Sequence, residues 1–406
     1  MAGYAQRYFG LIDWLKGTPE MRMRRGRIPM PTMASCALLM VLCALGSLNA
    51  LEQCRKTRQS KRWGVKGTIP SADQLGRVMG MYDSRAVRRY LQRVYAKQKR
   101  RKAIKPAYPG SLFALVIDGH ECFASYRRCC KRCLKRRVNK GTLRERVQFY
   151  HRVVTAILVH KNGALLLDVE MQQEAENEVG AAVRLFDRIL AMYPRAFDVV
   201  VADGLYAQAP FFKRVRKAGK EAIAVLKDEN RELLKDVEGL RKTTPPQRVV
   251  RQGKTTCKVW DIEQLESWAQ VGMPVRVVYS IETTAVNRQL GHTQYVTATW
   301  AWVTTIPRAH LPTPHFLEVA HDRWDVENRA FNELRTFWHI DHTYHHDANT
   351  MLNFWLITML AYNLFHAFYF GSLKPQARKG KSKYRFLEYI KADLLVEQIP
   401  SMCSGP

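Results

Sequence analysis

The sequence predicts an α/β chain whose core is interrupted by a β-rich insertion and preceded by a helical N-terminal region; three observations carry this expectation. Two apolar runs each close on a carboxylate: Leu112 to Gly119 (LFALVIDG) on Asp118, and Asp198 to Tyr206 (DVVVADGLY) on Asp203. Runs without apolar/polar alternation are the pattern of strands buried on both faces. Helical patterns from about Glu174 to Tyr193 and from Ala209 to Ala218 flank the second run, and such alternation calls for a sheet with helical connections. Finally, Val249 to Ile262, Pro274 to Thr284 and His292 to Ile306 are β-rich, with turn signals at Thr244-Pro245-Pro246 and Gly272 between them.

In chain order, residues 1–107 are expected to be helical, with Pro29-Met30-Pro31 ahead of an apolar helix and Ser71 capping a second helical region that runs to Tyr95. This section is a candidate DNA-binding unit. Pro106 to Gly110 (PAYPG) reads as a linker. After it come the strand to Asp118, a Cys-rich basic loop, strands near Val147 to His160 and Ala164 to Met171, the helix from about Glu174, the strand to Asp203, helix 209–218 and strand Glu221 to Lys227. That order is the order of a ribonuclease H-like core. The expected division is a first part of the core at 108–227, a β-rich insertion at 228–306, a second part at 307–371 and a basic tail at 372–406. The helix Ala348 to Phe370, apolar nearly all round, should pack on the core.

Lys and Arg number 65 against 36 acids, a formal charge of +29, which implies a polyanionic partner. The cations cluster at Arg22 to Arg27, Lys97 to Lys105, Arg127 to Lys140 and Lys374 to Arg385. Some of these runs are solvated faces, but even a subset in contact with phosphates would give salt-dependent DNA affinity. Nine Cys without a secretory signal point to a reducing cytoplasm rather than a disulfide framework. Met33 to Leu51 carries no charge and is long enough to span a bilayer, yet its Ala, Ser, Gly and Asn content suits a packed helix, and no membrane role is expected.

A third carboxylate stands out by interrupting a pattern. From Phe316 to Trp338 one helical stripe runs through positions 320, 323, 327, 331, 334 and 338. Ala320, Phe331, Leu334 and Trp338 mark it as buried, whereas Arg323 and Glu327 sit in its middle. A buried charge costs several kcal/mol (roughly) unless it is paired or coordinated. Either the two form a self-satisfied i, i+4 pair, or they belong to a site with Asp118 and Asp203. Strand-end acids on neighbouring strands would meet at one crevice, and hard divalent cations take oxygen ligands. Three carboxylates therefore suggest a metal-dependent nuclease acting on DNA.

These residues resemble the DDE transposases of bacterial insertion sequences, in the branch with a β-rich insertion before the catalytic Glu. The resemblance covers roughly residues 30–370: VIDGH around Asp118, VVADGLYAQAPFFKRVRKAG around Asp203 and HDRWDVENRAFNELR around Glu327, in order. It implies cut-and-paste transposition by a DNA-bound homodimer in the bacterial cytoplasm, on double-stranded DNA of terminal inverted repeats and targets. It also implies two Mg²⁺ ions about 3.5–4 Å apart. Asp118 would bridge them, Asp203 and Glu327 would each hold one, and Arg323 would orient Glu327 or contact a phosphate. The family's Y-x2-R-x3-E-x6-K signature is matched at Arg323 and Glu327, but Ala320 stands at the Tyr position and Leu334 at the Lys position. Arg329 and Arg335 lie near enough to supply DNA contacts. Trp300 matches a Trp that related enzymes use to hold a flipped base, with Trp302 two residues away on the same face; packing within the β segment is the alternative for both.

Cys130-x2-Cys133 has the knuckle spacing that lets two thiolates share one Zn²⁺. Some relatives show a similar pair followed by Tyr-His at the next strand, which implies a structural Zn²⁺ on Cys130, Cys133 and His151, with Cys129, Cys122 or His120 as fourth ligand. His342, His345 and His346 suggest a metal cluster too, but an i, i+3, i+4 group after a helix end is more often solvated or core. Three other functions remain open at this level: a ribonuclease H-like DNA nuclease without strand transfer, an inactive domesticated DNA-binding protein, and a membrane or structural protein, against which the charge clusters argue.

Overall fold

A computed structural model describes residues 1–24, 26–54, 61–65, 67–227, 231–287, 293–326 and 330–395. The front section is helical, as expected: α1 (Ala2–Phe9), α2 (Leu11–Lys16), α3 (Met30–Leu42), α4 (Leu48–Glu52), α5 (Ala72–Met81) and α6 (Ser84–Arg100). Pro at the start of α3 has the fixed φ a first turn needs. Ser71 caps α5 by accepting from the Gln74 N–H at 3.3 Å. The helical region expected to run on to Tyr95 breaks at Tyr82, which is extended, and restarts where Asp83 accepts from the Arg85 N–H at 3.0 Å. The uncharged Met33 to Leu51 stretch is split between α3 and α4, and nearly every residue of α3 is buried within the fold.

The core strands are β1 (Ala114–Ser125), β2 (Leu134–Val138), β3 (Arg146–His160), β4 (Gly163–Met171), β5 (Val199–Ala202) and β6 (Glu221–Val225); β7 (Arg248–Gln252), β8 (Thr255–Leu265), β9 (Val275–Asn287) and β10 (Thr293–Thr304) follow. All ten belong to one mixed sheet of order β2-β3-β1-β5-β6-β10-β9-β8-β7, with β4 also on β3. β1 runs antiparallel to β3 and parallel to β5, and β5 runs parallel to β6. The strands after residue 228 do not form a separate sheet, because Trp302, Val303 and Thr304 of β10 pair with Val225, Ala224 and Ile223 of β6. That stretch also holds a helix, α9 (Glu232–Thr243), which the β-rich reading did not anticipate. The basic loop likewise contains β2, whose alternating burial was masked by its charges.

Helices cover both faces. α7 (Glu178–Met192), α8 (Ala209–Lys217) and α9 pack on one side, around Leu115, Ile117, Val200 and Ala202. On the other side, Ala114, Val116, Val199 and Val201 face a continuous core with the front helices, α10 (Thr313–Val326), α11 (Asn332–Trp338) and α12 (Ala348–Gly371). Alternate residues of each strand thus serve opposite cores, which is why neither run alternates in sequence.

α12 is the one helix among the described residues long and apolar enough to cross a membrane, and its most apolar window is 89% buried in the fold. Its polar residues show what it packs against. Asn363 pairs with both backbone groups of Leu166 (2.7 and 3.0 Å), sealing the edge of β4. The Asn353 amide donates to the Met79 and Tyr82 carbonyls (2.7 and 2.9 Å), closing the end of α5.

Candidate active site

β1 does not stop at Asp118, as the apolar run suggested, but continues to Ser125 against β3. What stops there is the pairing with β5: its last registered partners are Val116 and Val201. Asp118 stands two residues beyond Val116 on β1 and so on the same face of the sheet, and Asp203 follows Val201 by the same two residues. Asp203 lies just past β5, and its side chain accepts from the Leu205 N–H at 2.7 Å, turning the chain into a short 3₁₀ segment. Both acids thus follow the last paired residues of adjacent parallel strands, the kind of position at which open α/β sheets bind ligands.

α10 packs over that same face and brings in Arg323. Ala320 and Arg323 of the expected stripe are buried on α10, and Leu334 and Trp338 on α11, with Phe331 buried just ahead of α11. The Arg323 guanidinium lies 3.9 Å from the Asp118 carboxylate. Glu327 and Arg329 fall outside the described residues.

On the opposite face of β1, one functional group went unread in the sequence. Glu178, in the first turn of α7, points its carboxylate at Gly119, where an added Cβ would stand 2.2–2.4 Å from it. The Glu178 carboxylate accepts from Arg152 on β3 at 3.0 Å and from the Tyr206 hydroxyl at 2.9 Å. Burial, then Glu178, then the charges of Asp118 and Asp203 raise the Tyr206 pKa well above its usual value. Three carboxylates thus share one neighbourhood. Only the glycine following the Asp could have hinted at this in the sequence.

Trp300 is half-buried on β10 and stacks on Trp302 (5.7 Å between centroids, 8° between planes). Trp302 is 1% exposed and packs edge-on against Phe316 and His321, which makes it a core residue. His321 also bonds the buried Glu282 at 2.9 Å. Arg335 is half exposed and paired with Asp341 at 2.9 Å, beside His120.

The Cys loop, β3 and the turn before α12 form a second cluster. Cys130 and Cys133 Sγ each lie 3.3 Å from His151 Nε2 and 3.8 Å from one another, and His346 Nε2 is 3.4 Å from Cys133 Sγ. All four ligand atoms fall within 4.8 Å of one another. Burial, reinforced by the neighbouring His346, lowers the His151 pKa to about 4. His346 was not expected here. None of the three anticipated fourth ligands joins the group: Cys129 is exposed, Cys122 donates to the His151 carbonyl at 3.5 Å, and His120 bonds Asp341 at 2.5 Å.

Comparison with curated proteins gave no match. The profile of the transposase DDE domain family matches residues 137–364, a span that contains Asp203 and Arg323 and begins after Asp118. Over half the chain lies in that span, which takes in β3 to β10, the helix that carries Arg323 and most of α12; the chain belongs to the transposase DDE domain family.

Proposed function

We propose that this transposase works by two-metal, Mg²⁺-dependent phosphodiester chemistry, cutting terminal inverted repeats and joining the freed 3′-hydroxyls to target DNA in cut-and-paste fashion. One observation carries the reading: Asp118 on β1 and Asp203 just past the adjacent parallel β5 follow the last registered pair of those strands, Val116 and Val201, and Arg323 of the overlying helix lies 3.9 Å from Asp118. The donor chemistry fits, since carboxylate oxygens suit a hard divalent cation. Bound Mg²⁺ would supply Lewis acidity to the attacking and leaving oxygens. Asp118 and Asp203 would offer oxygen ligands towards the face that α10 covers, and Glu327, which follows α10 in the chain, would be the third. Arg323, already beside Asp118, adds a fixed cation that can grip a phosphate oxygen or hold the carboxylate in place.

The DNA partner is supported by the exposure of the basic runs. Lys135, Arg137, Lys140, Arg144 and Arg146 line the β2–β3 hairpin, and Lys99, Arg100, Arg101 and Lys102 end α6. In the proposed complex Trp300 offers a ring to an unstacked base, Arg335 exchanges Asp341 for a phosphate, and Arg329 contributes a further DNA contact. We read the stretch from α9 to β10 as an insertion that extends the core sheet, residues 1–107 as contributing to end recognition, and the working form as a DNA-bound dimer.

The test mixes purified protein, Mg²⁺, a linear DNA carrying the element's end and a target plasmid. Cleavage at the end followed by covalent joining to the plasmid is the expected result. Cleavage without joining would leave a nuclease of the same core, and binding without cleavage a domesticated DNA-binding protein.

A further inference from the structure

We propose that Cys130, Cys133, His151 and His346 form a tetrahedral Zn²⁺ site that locks the turn preceding α12 onto the β2–β3 hairpin. The distances are those a tetrahedral ion imposes. Bonds of about 2.3 Å to sulfur and about 2.0–2.1 Å to nitrogen put two sulfurs about 3.8 Å apart, and a sulfur and a nitrogen about 3.6 Å apart. The corresponding separations are 3.8 Å for Cys130 to Cys133 and 3.3, 3.3 and 3.4 Å for the measured sulfur-nitrogen pairs. A disulfide would require about 2.05 Å, so the Cys pair is not oxidised. The Cys130 N–H donates to Cys133 Sγ at 3.2 Å, holding that sulfur in place. Two thiolates and two neutral imidazoles balance the charge of Zn²⁺, and binding releases the two thiol protons.

The site would join parts of the chain far apart in sequence. Cys133 and His346 are 213 positions apart. His346 immediately precedes Asp347, the N-cap of α12, and Arg132 beside the Cys pair donates to Asn349 in the first turn of that helix at 2.9 Å. An ion here would fix the chain emerging from α11, and with it the helix pair flanking Glu327, against the sheet that carries Asp118. The site stands independently of the two-metal reading, because it lies outside the carboxylate cluster and its donors are soft.

The experiment measures zinc in full-length protein purified under reducing conditions without chelator. Wild type and Cys129→Ser should each carry about one equivalent per chain. His346→Ala should bind zinc more weakly than wild type by more than the roughly 10–100-fold that outer-shell partners contribute. Cobalt-reconstituted wild type should show the intense visible bands of a tetrahedral thiolate site. His346→Cys should restore binding and intensify the thiolate-to-cobalt charge-transfer absorption, which keeps the test informative if the alanine variant fails to fold. Zinc-free wild type that also gives no tetrahedral cobalt spectrum would overturn the proposal. So would His346→Ala with wild-type zinc affinity.

Discussion

Single residues carry the chemistry, and the tightest packing constraint lies beside one of them. Gly119 has no Cβ because the Glu178 carboxylate fills that space, held by Arg152 and Tyr206. Gly119→Ala should therefore displace a bonded buried carboxylate and cost about 1–3 kcal/mol. In a Glu178→Ala background the same change should cost much less, giving a coupling of about 1 kcal/mol or more in thermal or urea melts. Additive effects would show that the two do not meet. Arg323→Lys keeps the charge beside Asp118 but loses the planar fork. We expect cleavage to fall on the order of tenfold to a hundredfold with melting temperature and DNA affinity nearly unchanged. A lowered melting temperature with normal activity would make Arg323 a structural partner instead.

At the scale of elements, the sequence was most legible where one residue type decides. The β5 run, the Ser71 cap and the buried stripe through Ala320, Arg323, Phe331, Leu334 and Trp338 could all be read. Less legible were features set by tertiary pairing. β1 runs past Asp118 because β3 stays beside it, and no local signal in GHECFAS announces a strand. α9 lay inside a stretch whose neighbours are all strands. The metal cluster was half legible: CxxC spacing is local, but His346 reaches it only through the packing of α12. His160, at the end of β3, has its pKa lowered to about 4 by burial and then by the charge of His366 on α12. A histidine that is neutral when folded but titrates near 6.5 when unfolded contributes stability that is complete above about pH 6.5 and is lost as pH falls towards 4. Melting temperature should therefore drop across that window, and less steeply in His160→Gln. Equal slopes in the two proteins would remove His160 as a cause.

For the whole molecule, the helical front section and the sheet share a single apolar core rather than two. Arg88 of α6 reaches the fully buried Asp168 of β4 at 2.8 Å and the Val169 carbonyl at 2.9 Å, and Arg188 of α7 holds the other carboxylate oxygen. Removing one partner of a buried pair typically costs about 3–5 kcal/mol. Because Arg188 remains, Arg88→Ala should lie near the lower bound, about 3 kcal/mol, and unfold the front helices and the sheet in one transition. Two separate transitions would mean that the front section is an independent domain. The proposed DNA cleavage rests on the Asp118 and Asp203 carboxylates. The most direct test measures Asp118→Asn and Asp203→Asn side by side with wild type, for Mg²⁺-dependent cleavage and for binding of end DNA. Loss of cleavage in both, with DNA affinity equal to or above wild type because negative charge has been removed, is the predicted result. Mg²⁺-dependent cutting that survives either substitution would contradict the account.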